Sequence, residues 1–324
     1  MDLVCKPIVD DVLNDHFTNV FRSGYISVKG TTLTDNYQKI RADIDNFLVY
    51  DDDIWICSLP KTGTTWTQEM IWMIVNGFDF KEAQKCITER FPFLDYPIIF
   101  DYKNVYEKYS EFNPPKQFAN AISFVSKQKR PRLIKTHLPW DLLPKDICDG
   151  RKHPKIVYIT RNPIDTCVSY FHHCKLIEGY RGNFTEFSNL FLSGKLCYTP
   201  YWNNVLQYWN RRNESNVLFL KFEDLKRDLP NTIRNVAKFL SKKVTEEQIK
   251  LLSHHLSFEN MKKNKSVNYE EFVQFHKKYK LVNCEGSFIR SGKVGEKCSE
   301  VTQSIKEQFD LWIQQHAPNN ELGY

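Results

Sequence analysis

The 324-residue chain is 41% hydrophobic and 14% aromatic, enough apolar surface for a large core, which excludes a disordered polypeptide. Its formal net charge of +6 comes without any run of five or more Lys/Arg, so it fits a mildly basic enzyme rather than a dedicated nucleic-acid binder. Nine cysteines in no clustered framework, with no CxxC pair, read as reduced thiols rather than a disulfide scaffold or zinc site.

In chain order, Met1 to Asp15 carries acids and no long apolar run, so it does not read as a signal peptide. No apolar stretch approaches the ~20 residues of a membrane span. The expectation is a cytoplasmic protein with no membrane partner, and the triplets at Asn183, Asn213 and Asn264 are read as chance glycosylation matches. Ile54 to Cys57 reads as a buried strand. Thr64 to Asn76 follows as a helix, apolar at Trp66, Met70, Met73 and Ile74, with Gly77 as its stop. Arg132 to Thr136, Lys155 to Thr160 and Val217 to Phe222 read as three more strands. Pro163 and Asp165 suit the first turn of a helix running toward Ile177. Thr245 with Gln248 forms a capping-box pattern. Asn264 to Lys297 shows no clear periodicity and is expected to be a long loop. Val301, Ile305, Phe309, Trp312 and Ile313 then recur at helical spacing. Strands alternating with helices predict an α/β fold: one domain, 1–324, with a central, mostly parallel sheet flanked by helices. The pairs His172-His173 and His254-His255 lack zinc-ligand spacing and read as surface or core histidines.

The segment Ser58 to Trp66 (SLPKTGTTW) carries the most chemistry. A strand feeds a short Gly-containing turn that opens directly into a helix. Backbone N–H groups at a helix start are unpaired, and the helix dipole favours an anion there. Gly63 admits an oxyanion close to the backbone. Thr64 and Thr65 add hydroxyl donors, and Lys61 adds a positive charge. The reading is a P-loop-like phosphate cradle; the alternative is a ligand-free strand–helix turn. It is not a Walker A motif, because Lys61 precedes Gly63 rather than following the last Gly. Lys135-Thr136-His137-Leu138-Pro139 lies at a strand end, where ligands bind in open α/β sheets. A histidine there suits proton abstraction at neutral pH, or serves structure. Arg161, ending the KIVYIT strand, can fork onto a phosphate or form a structural ion pair; Ser169 lies one turn beyond Asp165. Phe288-Ile289-Arg290-Ser291-Gly292 lies in the expected loop, over a bound anion or simply in solvent.

Together these segments resemble the cytosolic sulfotransferase family, whose hallmarks are a PK[ST]GTTW loop, a KTHLP segment, an RNPxD…S stretch and a late RxG loop. The likeness runs from about residue 30 to the C-terminus. It implies 3′-phosphoadenosine 5′-phosphosulfate (PAPS) as sulfonate donor and no metal. It assigns Lys61, Thr62, Gly63, Thr64 and Thr65 to the 5′-phosphosulfate and Trp66 to the adenine. Arg161 and Ser169 take the 3′-phosphate with Arg290, Ser291 and Gly292. Phe222, Leu256, Phe258 and Met261 lie near the base. Phe93, Tyr96 and Tyr269 line the acceptor pocket. His137 is implied as general base, with Lys61 and Lys135 supporting the charge that develops on transfer. The implied acceptor is a small, largely apolar phenol, steroid, retinoid-like alcohol or amine, with no nucleic-acid partner.

Three departures stand out. Phe222 replaces a common Tyr, and Ser291 a usual Lys. The GDWK-type segment (Gly295 to Cys298) and the KxxxTVxxxE dimer motif (Val301-Thr302 with Lys306) are degraded, so a homodimer is expected only through a weakened interface motif. Three rival readings remain at this point. A phosphotransferase lacks its Walker A lysine here. A non-catalytic nucleotide or apolar-ligand binder leaves Lys61 and His137 unexplained. Sulfonation followed by elimination, a net dehydration, stays open.

Overall fold

The computed structural model of the chain describes residues 5–17, 20–283, 286–295, 299–317 and 322–324. Among these, seven strands form two sheets. β1 (Cys5–Ile8), β2 (Tyr25–Val28) and β3 (Thr31–Thr34) make a small antiparallel sheet. Lys29 and Gly30 join β2 to β3 with both φ angles positive, at 49° and 78°, as a two-residue hairpin turn requires.

The central sheet contains β4 (Ile54–Cys57), β5 (Leu133–Thr136), β6 (Lys155–Thr160) and β7 (Val217–Lys221), in the order β5-β4-β6-β7, all parallel. Helices cover both faces, so the strands are mostly apolar rather than alternating with polar residues. Successive side chains still point to opposite sides. Trp55, Cys57 and Tyr158 enter one core with Tyr208 and Phe171; Ile54, Ile56 and Val157 enter the other with Met70 and Met73. The expected α/β sheet is the observed one.

The element boundaries moved where a side chain had another partner. Arg132 precedes β5, its buried guanidinium Nε donating to Asp53 at 2.8 Å. Phe222 ends no strand; it opens the helix Phe222–Arg227. The helix after β6 spans Pro163–His173 and then widens into one π-helical turn, Cys174–Glu178. The loop expected over Asn264 to Lys297 is corrected: it holds a helix, Glu270–Lys278, that buries Phe272, Val273 and His276 on one face. With only nine residues, and Phe275 off that face, the helix gave no clear apolar period. Glu296, Lys297 and Cys298 of the degraded segment lie outside the described residues. Among the described residues no helix is long and apolar enough to cross a membrane.

Candidate active site

The strands after β4 and β6 add on opposite sides of the sheet, β5 beside β4 and β7 beside β6. Such a reversal leaves a crevice beyond the carboxyl ends of the two strands, where ligands of open α/β folds bind. Three segments converge there. Ser58 to Gly63 follows β4, His137 follows β5, and Arg161 follows β6.

The β4 loop is held in a shape few residues tolerate. Lys61 has φ 71° and Gly63 has φ 111°. A Cβ on Gly63 would stand 2.8 Å from Phe222 Cδ2 and 3.1 Å from Ile159 Cδ1, so only glycine fits. The Thr62 hydroxyl faces the carbonyls of Leu59 and Ile159, at 2.9 Å each. Thr62 therefore locks the turn and does not line the cavity, unlike Lys61, Gly63, Thr64 and Thr65. Beyond Gly63 the helix Thr64–Val75 begins, its first N–H groups open to the crevice.

His137 is buried. Its Nδ1 lies 2.7 Å from the carbonyl of Ser58. A carbonyl only accepts, so Nδ1 carries the ring proton and Nε2 keeps its lone pair. Its backbone N–H donates to Asp95 Oδ2 at 3.2 Å, and Asn204 Nδ2 donates to its carbonyl at 3.0 Å. Burial first, then the nearby charges of Lys135 and Lys61, push the imidazole pKa well below its ordinary value. The ring is neutral at pH 7, as a base must be. Asp95 is buried too, and burial raises its pKa to about 6.

Four cations face this cavity: Lys61, Lys135, Arg161 and Arg290. Burial, and then repulsion from Lys135 and Arg161, pushes the Lys61 ammonium down to about 7. Burial lowers Lys135 to about 8. Lys61 Nζ rests 3.7 Å above the Phe288 ring, and Lys135 Nζ 4.2 Å above Phe93. Arg161 Nη2 donates to the carbonyl of Lys293 at 2.8 Å and lies 3.4 Å from Asp165, while its buried Nε has no protein partner. Its guanidinium stacks 4.4 Å from the Phe222 ring. Ser169, Ser291 and Gly292 line the same cavity.

Leu256, Phe258 and Met261 do not line this cavity; they form an adjoining apolar pocket with Trp66 and Phe222. The Trp66 indole N–H donates to the Leu256 carbonyl at 2.9 Å. Gly292 packs so tightly that a Cβ there would come 2.5 Å from Phe258 Cδ2. On the other side Phe93 meets the His137 ring edge at 4.9 Å, Tyr96 stacks on Phe118 at 4.7 Å, and Tyr269 stacks on Phe288 at 4.2 Å. Phe100, Phe118 and Phe272 extend that aromatic wall and carried no signal in the sequence beyond being aromatic. Asp95 was missed, although it lies between Phe93 and Tyr96; Ser58 was named only as the start of its segment, and His173 was read as a surface or core histidine.

A neutral imidazole, a set of buried cations at a helix start and an aromatic chamber, gathered beyond the carboxyl ends of the central strands, define a group-transfer enzyme. The chain belongs to the sulfotransferase family, whose domain is matched over residues 51–320. It is 39% identical over 306 residues to luciferin sulfotransferase of Photinus pyralis, covering 94% of this chain and 82% of that one. It is 32% identical over 307 residues to human sulfotransferase 4A1, covering 94% of each. Among solved structures, it resembles retinol dehydratase in complex with androsterone and the inactive cofactor PAP, at TM-score 0.87 and 30% identity, covering 100% of this chain and 98% of that one.

Proposed function

We propose that the chain, acting as one domain in the cytoplasm, moves the sulfonate of PAPS to a hydroxyl or amine of a small apolar acceptor, with His137 as general base. The observation that carries this reading is the His137 tautomer: Nδ1–H faces the Ser58 carbonyl at 2.7 Å, leaving Nε2 as a base in a cavity otherwise rich in cations. A phosphorylated anion suits those cations. Arg161 keeps a buried Nε without a protein partner, and Lys61 and Lys135 are held short of full charge. The donor supplies an activated sulfonate; the protein supplies position and charge.

The residue roles are those the family resemblance implies, and the placement of the side chains supports them. Gly63, Thr64 and Thr65 offer N–H and hydroxyl groups to the 5′ phosphosulfate. Arg161, Ser169 and Arg290 meet the 3′-phosphate, with Ser291 and Gly292 beside them. Trp66, Phe222, Leu256, Phe258 and Met261 form the apolar seat of the base. Phe93, Tyr96 and Tyr269 hold the acceptor against His137. Nε2 takes the acceptor proton, Lys61 steadies charge on the bridging oxygen, and Lys135 the moving group. Sulfonation followed by elimination is the second reading, favoured by the likeness to a retinol dehydratase.

Calorimetric titration with 3′-phosphoadenosine 5′-phosphate tests the nucleotide site. Micromolar binding that collapses in Arg161→Ala supports it; a folded wild-type protein that does not bind refutes it. Turnover of labelled PAPS then separates an enzyme from a non-catalytic binder. Analysis of the product as ester or alkene separates the two readings.

A further inference from the structure

His173 is a second imidazole in the cavity. Ser169, His173 and Ile177 all line the cavity at intervals of four residues. Four residues advance a helix by ~6 Å, so His173 stands one turn beyond Ser169, on the way to the apolar chamber. Immediately after it the helix widens into the π-turn Cys174–Glu178. Such turns recur at functional sites. This one brings Glu178, five residues on, within ion-pair distance of the ring, with Oε1 at 3.5 Å from His173 Nε2. The other oxygen, Oε2, accepts from Arg22 Nη1 and Nη2 at 3.1 Å each. That ion pair is sealed, its side chains 2% and 1% exposed.

The carboxylate favours the tautomer with the proton on Nε2, which leaves a lone pair on Nδ1. That nitrogen is buried and has no protein partner. Burial, then Lys61 and Lys135, holds the ring neutral. An unpaired buried acceptor is costly, and a ligand that brings a donor removes the cost. A pocket built around such a group discriminates against ligands that lack the donor.

We propose that His173, set by Glu178 and Arg22, is a specificity-determining residue whose Nδ1 accepts a hydrogen bond from a second O–H or N–H group of the acceptor. The favoured acceptor is then a flat apolar molecule with two such groups, one attacked beside His137 and one held at His173. This rests on the sulfotransferase reading of the site.

The test compares aromatic diols of increasing span (dihydroxybenzenes, dihydroxynaphthalenes, 4,4′-dihydroxybiphenyl) with their monomethyl ethers. For at least one pair, wild-type kcat/KM should favour the diol about tenfold, beyond the factor of about two from its duplicate hydroxyl. His173→Phe should erase the excess, and His173→Asn, which keeps an acceptor atom near Nδ1, should restore much of it. Affinity for 3′-phosphoadenosine 5′-phosphate should stay unchanged in both variants. The proposal is overturned if no pair shows the excess, or if every ratio is the same in wild type and His173→Phe; should His173→Phe not fold, an unaltered ratio in His173→Gln overturns it equally. Failure of the underlying reading looks different: the wild type then sulfonates neither member of any pair.

Discussion

Binding of 3′-phosphoadenosine 5′-phosphate should draw protons from solution at pH 8, because two lysines in the cavity are undercharged in the free protein. Lys61 is pushed down to about 7 and Lys135 to about 8. At pH 8 about nine-tenths of Lys61 and about half of Lys135 are then neutral. A bound anion favours the charged form of both. Full restoration takes up about 1.4 protons per nucleotide at pH 8, while the lysine contribution falls to about 0.1 at pH 6. The ligand's phosphates, with a second ionisation near 6, are almost fully charged at pH 8 and add little. Calorimetry in HEPES and Tris reads the number directly, as the slope of binding enthalpy against buffer ionisation enthalpy. Lys61→Met should lower the uptake at pH 8 to about 0.5 proton. A wild-type slope below about 0.3 at pH 8 would refute the claim that burial and repulsion hold these ammonium groups short of full charge.

Three further outcomes follow from the same geometry. His137→Ala should lower kcat by about 10²–10⁴-fold with nucleotide affinity intact, read by steady-state turnover beside calorimetry. Gly63→Ala must carry a side chain at φ 111° and push it against Phe222, so it should cost about 1–3 kcal/mol in a denaturant melt and weaken nucleotide binding at least tenfold. Asp95 keeps its proton up to about pH 6 when folded, against 3.8 as its ordinary value. The folded state binds more protons between those values, so stability falls as pH rises through that window. Asp95→Asn removes the penalty, and relative to wild type it should gain about 2 kcal/mol between pH 4 and pH 7, measured by urea denaturation. A pH-independent difference would show that Asp95 is ionised without cost.

The central sheet was legible because its strands are covered on both faces. Ile54–Cys57 is an unbroken apolar run and Lys155–Thr160 holds one at Ile156 to Ile159, and their observed limits match the reading. Two other runs were read one residue too long: Phe222 because apolar character does not tell a ladder residue from a neighbour in the core, and Arg132 because its partner Asp53 is far away in sequence. The N-terminal sheet was missed although Lys29-Gly30 between β-branched and aromatic residues is a hairpin signal. Lys61 to Trp66 and Arg161 to Ser169 were legible as contiguous motifs opening helices. Phe100, Phe118 and Phe272 were not, because they come from separate segments and look like any core aromatic. His173 was read as a surface or core histidine because the His172-His173 pair lacks zinc-ligand spacing; its contact with Glu178, five residues on, comes through the π-turn.

Phe93 pairs with Lys135 as an isolated parallel bridge: the Lys135 N–H donates to the Pro92 carbonyl and the Leu94 N–H to the Lys135 carbonyl, at 2.9 Å each. Main-chain pairing is blind to side-chain identity. The aromatic wall of the cavity is therefore fastened to the strand leading to His137 by atoms every amino acid possesses. Residue 93 can vary without releasing that attachment, so under the proposed function a substitution there would alter acceptor preference while leaving His137 where it is.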